Sequence, residues 1–108
     1  MAVQLSHIVD GQLAATTTTL YTVPANKVVV VMSILATNTN TSNSRKVNFY
    51  FKSTGASRHI TPVDRKLEPG QTMIYEMRVA MSESFDIEGS GEVANEIDYW
   101  ITGFVQDV

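Results

Sequence analysis

A chain of 108 residues with 44% hydrophobic and 18% charged side chains is the size of one folded domain and apolar enough to offset its ordering entropy by burial, which excludes disorder. It has no cysteine, so disulfides and thiolate metal sites are excluded, and assembly in a reducing cytoplasm is compatible. Net charge is −3, no Lys/Arg run is interleaved with aromatics, and the longest apolar run, residues 28–32, falls far short of the roughly 20 residues of a spanning helix. Neither a nucleic-acid partner nor a membrane is therefore expected.

Residues 1–7 lack a basic leader followed by an apolar run, so no secretory signal is expected. Residues 3–9 are a short candidate strand. Residues 18–23 read as a strand stopped by Pro24-Ala-Asn-Lys27, where proline fixes φ and Asn26 accepts a left-handed turn. That turn predicts a hairpin into residues 27–37, whose nearly continuous β-branched and apolar run predicts a central strand covered on both faces. A polar loop, residues 38–44, follows.

The period then becomes two. In residues 45–52, Val47, Phe49 and Phe51 share one face, and Lys46, Asn48, Tyr50 and Lys52 the other. Residues 57–63 are a further candidate. Pro69-Gly70 suits the central positions of a type II turn, with glycine at the positive φ. Residues 72–79 place Met73, Tyr75, Met77 and Val79 inward and Glu76 and Arg78 outward. Residues 84–88 are another short candidate, and Gly89-Ser-Gly-Glu92 reads as a loop. Residues 96–105 place Ile97, Tyr99, Ile101 and Val105 inward, leaving Asp98, Trp100, Thr102 and Phe104 on a side that is not purely polar. The sum is an all-β chain of about eight strands with no helix: a single antiparallel β-sandwich, jelly-roll or Ig-like.

Charge is segregated along the chain. All eight basic residues lie between Lys27 and Arg78, while seven acids and no base lie between Glu83 and Asp107. Either the basic and acidic strands pair within a sheet, or they form opposite-signed edges through which identical subunits meet in a closed ring.

Catalytic chemistry finds little support. His7 and His59 sit in different strands without metal-site spacing and read as surface residues. A triad of His59, Asp64 and a serine lacks any motif to position the nucleophile. Glu83, Asp86, Glu88 and Glu92 lack the ligand loop of a calcium site and read as solvated charges. No phosphate-gripping or dinucleotide-binding glycine motif is present. No catalytic, metal-binding or cofactor-binding residue is therefore assigned, and no enzyme is expected. Asn40-Thr-Ser42 matches the glycosylation acceptor pattern but carries little meaning without a signal peptide. Trp100 has three readings: a stacking platform for a sugar, an anchor at a subunit interface, or a side chain covered by a second layer.

The run Thr18-Thr-Leu-Tyr-Thr-Val-Pro-Ala-Asn-Lys27, the valine-rich strand after it, the turn Leu67-Glu-Pro-Gly-Gln-Thr72 and the closing Ile97-Asp-Tyr-Trp-Ile-Thr-Gly103 occur in that order. In this the chain resembles small virion proteins of tailed bacteriophages, from Thr18 onward. Each motif alone is weak, because turn chemistry recurs in all β-proteins; their order carries the resemblance. The resemblance implies a β-sandwich over residues 18–108, with residues 1–17 an N-terminal strand or an arm reaching a neighbouring subunit. It implies a structural virion part, in first place a capsid decoration (cement) protein that binds the major capsid protein as a homotrimer on the capsid surface, assembled in the host bacterial cytoplasm. A tail- or neck-associated component is the alternative. A carbohydrate-binding module using Trp100 and Tyr50 is a reading of a different class. The residues placed at the interface are Arg45, Lys46, Arg65, Lys66 and Trp100.

Overall fold

The computed structural model describes residues 5–108; the first two residues of the candidate strand 3–9, and the start of the segment 1–17, lie outside them. Among the described residues nine strands are present: β1 (Leu5–Gln12), β2 (Thr18–Thr22), β3 (Lys27–Asn38), β4 (Arg45–Lys52), β5 (Ser57–His59), β6 (Arg65–Leu67), β7 (Thr72–Met81), β8 (Asp86–Gly91) and β9 (Ile97–Asp107). They form two antiparallel sheets, the first in the order β1-β9-β3-β7 and the second β2-β8-β4-β5, with β6 also paired to β4. The expected β-sandwich is what the chain forms. The candidate strand 57–63 is strand only over β5, Ser57–His59, and a short strand not expected from the sequence, β6, follows beyond it.

The pairing is nested: β1 with β9, β2 with β8, β3 with β7, β4 with β6. One long antiparallel hairpin has been rolled so that alternate strand pairs fall into opposite sheets, with β3·β9 and β4·β8 closing the roll. That is the jelly-roll order, and it decides against the Ig-like alternative, in which hairpin-connected neighbours share a sheet.

The predicted hairpin between residues 18–23 and 27–37 is accordingly absent. The turn itself forms, with Asn26 at φ 63°, but β2 pairs with β8 and β3 with β7 and β9. Val23 instead exchanges backbone bonds with the β7–β8 connection, donating to Phe85 O at 2.9 Å and accepting from Ser84 N at 2.9 Å.

The core lies between the sheets. Val29, Val31, Ile34 and Ala36 of β3 and Ile97, Tyr99 and Ile101 of β9 meet Val47 and Phe49 of β4 and Ile87 of β8. Burying each large apolar side chain stabilises the fold by about 1.5–3 kcal/mol. Across the interface Phe49 meets Tyr99 edge to face, centroids 6.3 Å apart, the arrangement the ring quadrupoles favour.

β3 departs from the expectation of two covered faces. Its inward phase runs Val29, Val31, then Ile34, Ala36, Asn38. The switch occurs at Met32, where the ladder to β9 passes from Val31↔Gly103 to Ser33↔Thr102, leaving one residue extra on β3. Val28, Val30 and Leu35 therefore face outward, half-buried.

β8 corrects the loop reading for residues 89–91, while Glu92 does lie in the connection that follows. A Cβ on Gly89 would stand 3.0 Å from Leu20, 3.1 Å from Leu13 and 3.2 Å from Phe49. These glycines are strand positions kept bare so that bulky neighbours fill the space above them.

At one end of the sandwich the connections 13–17, 39–44, 68–71 and 92–96 are tied together. Leu13 N donates to Ile97 O at 2.9 Å and Asn38 N to Gln71 O at 3.0 Å. Glu68-Pro-Gly-Gln71 is the expected type II turn, with Gly70 at φ 73° and Gln71 N bonded to Glu68 O at 2.9 Å. Beneath it lies Asn38, fully buried, whose Nδ2 donates to Asn43 O at 2.9 Å, Leu67 O at 3.0 Å and Glu68 O at 3.3 Å. Its Oδ1 accepts Asn40 N at 2.9 Å.

Candidate functional site

Two surfaces near this end carry the candidate residues. The first is a basic corner of the second sheet. β4 and β6 pair Arg45↔Leu67, Lys46↔Lys66 and Val47↔Arg65, so the four basic residues named from the sequence lie on neighbouring strands, Lys46 and Lys66 on the outer face and Arg45 and Arg65 on the face of the buried Leu67 and Val47. They are not equivalent. The Arg45 guanidinium is spent within the fold on Glu96, at 3.1–3.3 Å through Nε and Nη2. Glu96 also accepts from Asn40 Nδ2 at 3.0 Å, which locks the 39–44 loop to the 92–96 loop. Lys66, exposed, lies 3.7 Å from Glu68, and Lys46 stands directly opposite it.

The Arg45 hydrogen bond, then that of Asn40, holds the Glu96 carboxyl below its ordinary value. A depressed folded-state pKa contributes stability that is complete above the unfolded-state value, ordinarily near 4.5, and is lost as pH falls through the folded-state value. Glu96→Gln is therefore expected to remove part of the acid-side slope of stability against pH while leaving the neutral region nearly level. Urea titrations from pH 7 to pH 3 check this; parallel profiles for the two proteins would refute it.

The second surface is the outer face of the first sheet, where Trp100 sits 45% exposed. Its cross-strand neighbours are Asp10 on β1 and Leu35 on β3. The next row outward is Gln12, Asp98, Thr37 and Thr72. Within it Gln12 Nε2 donates to Asp98 Oδ1 at 3.0 Å and the two threonine hydroxyls bond at 2.7 Å. Asp10, Gln12, Leu35, Thr37, Asp98 and Trp100 surround a shallow depression of about 370 Å³. His7 braces the indole, its ring centroid 4.6 Å away, and is held by Asp10 at 2.8 Å. Beneath, Tyr99 lies under Gly11, where a Cβ would stand 3.3 Å from its hydroxyl. Burial, and secondarily Asp10, pushes that hydroxyl above its ordinary pKa.

Trp100 is thus on the opposite sheet from the basic corner, and the five residues named from the sequence do not form one surface. Nor do Trp100 and Tyr50, because Tyr50 lies on the outer face of the second sheet against His59, with centroids 4.6 Å apart. The contribution of Asp10 and Gln12 was missed from sequence. The alternation of β9 shows where Trp100 points, but nothing local shows that β1 arrives beside it.

Most of the remaining candidates are occupied by structural contacts, while Glu83 is exposed. Asp64 accepts from Asn48 Nδ2 at 3.0 Å and returns its backbone N–H to Asn48 Oδ1 at 2.8 Å. Asp86 accepts the Thr22 hydroxyl at 2.6 Å, and Glu92 caps Lys46 N at 2.9 Å. Glu88, read as solvated, is buried and accepts the Ser57 hydroxyl. Asn40 carries its amide against Glu96 and accepts two backbone N–H groups on Oδ1. Among the described residues no three His, Cys, Asp or Glu side chains converge to hold a metal ion. The basic and acidic strands do meet within the sheets, Lys52 opposite Asp86 and Lys27 bonded to Asp107.

No family model matches the chain, and no curated protein does. Among solved structures, a chain in the structure of infectious bursal disease virus, Gx strain, is similar at a TM-score of 0.56 and 13% identity. The likeness covers 96% of this chain and 32% of that one, so the present chain spans about a third of its neighbour's length. At that identity the two share a fold.

Proposed function

We propose that the chain is a non-catalytic structural component of a virus particle, and specifically a decoration protein of a tailed-bacteriophage capsid that binds the assembled shell of major capsid protein as a homotrimer. The observation that carries this reading is the jelly-roll order of its strands, matched along 96% of the chain by part of a virus-particle structure. The ordered motifs that resemble phage virion proteins point the same way. A part that binds only the assembled shell stabilises it by mass action.

Of the basic corner, Lys46, Arg65 and Lys66 are the residues left for a partner once Arg45 is tied to Glu96. Electrostatic complementarity there would set binding rate and salt dependence more than fold stability.

The test is the copy number of the chain in purified particles of the virus that encodes it, by quantitative mass spectrometry. On the order of hundreds of copies per particle is the expected result; roughly three to a dozen would fit a tail or neck ring instead. Absence from particles would overturn the virion reading altogether. With shells in hand, the reversal Arg65→Glu with Lys66→Glu is expected to weaken binding and flatten its dependence on salt. Unchanged binding at every salt concentration would remove the basic corner from the proposal.

A further inference from the structure

We propose that the depression beside Trp100 binds a neutral saccharide unit. The inference goes beyond the virion reading and does not depend on it, since it rests on the chemistry of one face of the first sheet.

A pyranose presents two kinds of surface: a face of C–H groups and a rim of hydroxyls. The indole of Trp100, half exposed, offers a flat, electron-rich surface to the first. His7 packs against the ring without lining the depression. Asp10 in turn holds His7, so the platform is braced before any ligand arrives, which lowers the ordering cost of binding.

The rim is matched by the surrounding polar groups. Asp10 and Asp98 each commit Oδ1 to a neighbour, His7 and Gln12 respectively. Among the described residues neither Oδ2 has a partner, so both are left to accept sugar hydroxyls. Gln12 and Thr37 add an amide and a hydroxyl from the neighbouring strands. Leu35 supplies an apolar floor. The volume, about 370 Å³, lies in the range of small-ligand sites, and its openness to solvent suits one unit of a longer glycan entering from outside.

The electrostatics select among sugars. Two carboxylates line the depression and no Lys or Arg does. Sialic acids, uronic acids and phosphorylated sugars would meet like charge without a compensating cation, at a cost that grows as water is excluded. An uncharged hexose or N-acetylhexosamine meets acceptors only where it has hydroxyls to donate.

Trp100 is the chain's single tryptophan, so its emission reports the site without background. The experiment titrates the full chain with oligosaccharides of glucose, galactose, mannose and N-acetylglucosamine, and in parallel with sialyllactose and with arginine amide. The expected result is a saturable change in emission for at least one neutral series below roughly 10 mM. It should weaken at least ~10-fold in Asp98→Ala, whose side chain is exposed and whose melting temperature should stay near that of the parent. Calorimetry with Trp100→Ala should show no binding of the same sugar. A flat response to every neutral series overturns the proposal. So does a stronger response to sialyllactose or to arginine amide, the latter making the site a cation or basic side-chain receptor. Because the titration uses the isolated chain, its failure leaves the copy number in particles to be decided separately.

Discussion

Gly103→Ala is expected to cost at least about 3 kcal/mol and to leave the sandwich largely unfolded at 37 °C. The reason is backbone, not side-chain, crowding. A Cβ at this position would lie 2.1 Å from Val30 O, 3.1 Å from Val30 C and 2.8 Å from Ile8 Cδ1. Gly103 pairs with Val31 beside the extra residue of β3, where the bulge brings the two backbones together. Its strand is held on both sides, by β1 and β3, so it cannot move away from one without losing register with the other. Domains of this size are stable by only about 5–15 kcal/mol in total, so the loss is a large fraction. Gly55→Ala is the control. Nothing lies within 4 Å of its added Cβ, and only the positive φ of 81° resists the change, for about 1 kcal/mol. Urea unfolding of both variants checks the contrast; equal midpoints would show that β9 has freedom its pairing denies.

The second large effect is expected at Asn38. Asn38→Asp removes the amide donor from three carbonyls and substitutes a carboxylate at a fully buried position. An ionised group there faces oxygen lone pairs without a cation, and the expected loss at pH 7 is about 3–5 kcal/mol. The sign with pH is opposite to that of Glu96. Burial disfavours the charged form, so the folded-state pKa of the new carboxyl lies above the unfolded value of about 3.9. The penalty is then smallest below that value and grows as pH rises through the interval between the two. Unfolding at pH 7 and at pH 4.5 should show the variant recovering part of its deficit in acid, while Asn38→Leu, which leaves the same carbonyls unbonded without adding charge, shows no such recovery. A variant as stable as the parent at neutral pH would mean that Asn38 does not hold the loop end together.

Much of the strand content was legible because β4, β7 and β9 each bury one side, and one-sided burial writes a period of two into the sequence. Val47 and Phe49, Met73, and Ile97 to Ile101 all lie where alternation puts them. β3 misled because its outward Val28, Val30 and Leu35 are as apolar as its inward residues. Composition alone does not distinguish a strand covered on both faces from one whose outer face is left for something else. β8 was half read as a loop because glycine is a turn signal in isolation, and only the nearness of Leu13, Leu20 and Phe49 explains a bare strand.

The hairpin failed for a different reason. Pro24 and Asn26 specify a reversal of direction, not the sheet in which the next strand settles, and that choice is made by partners such as Asp86, opposite Thr22 in β8. The candidate sites follow the same division. The basic corner was visible because Arg45 and Lys46 sit close along the chain and Arg65 and Lys66 likewise. The Trp100 depression was not, because Asp10 and Gln12 reach it only through the pairing of the first strand with the last.

The nested pairing also sets when the molecule becomes a molecule. β9 lies between β1 and β3, so while the chain is being synthesised β1 has no partner in its sheet, and β3 has only β7, until β9 leaves the ribosome. Contacts of such sequence separation close late and slowly, on the millisecond-to-second scale typical of all-β sandwiches. During that interval β3, with its run of valines, presents one open edge, and a high concentration of nascent copies is the condition under which such an edge pairs with the wrong chain. Folding yield should accordingly fall with expression rate and temperature more steeply than the stability of the finished sandwich would suggest.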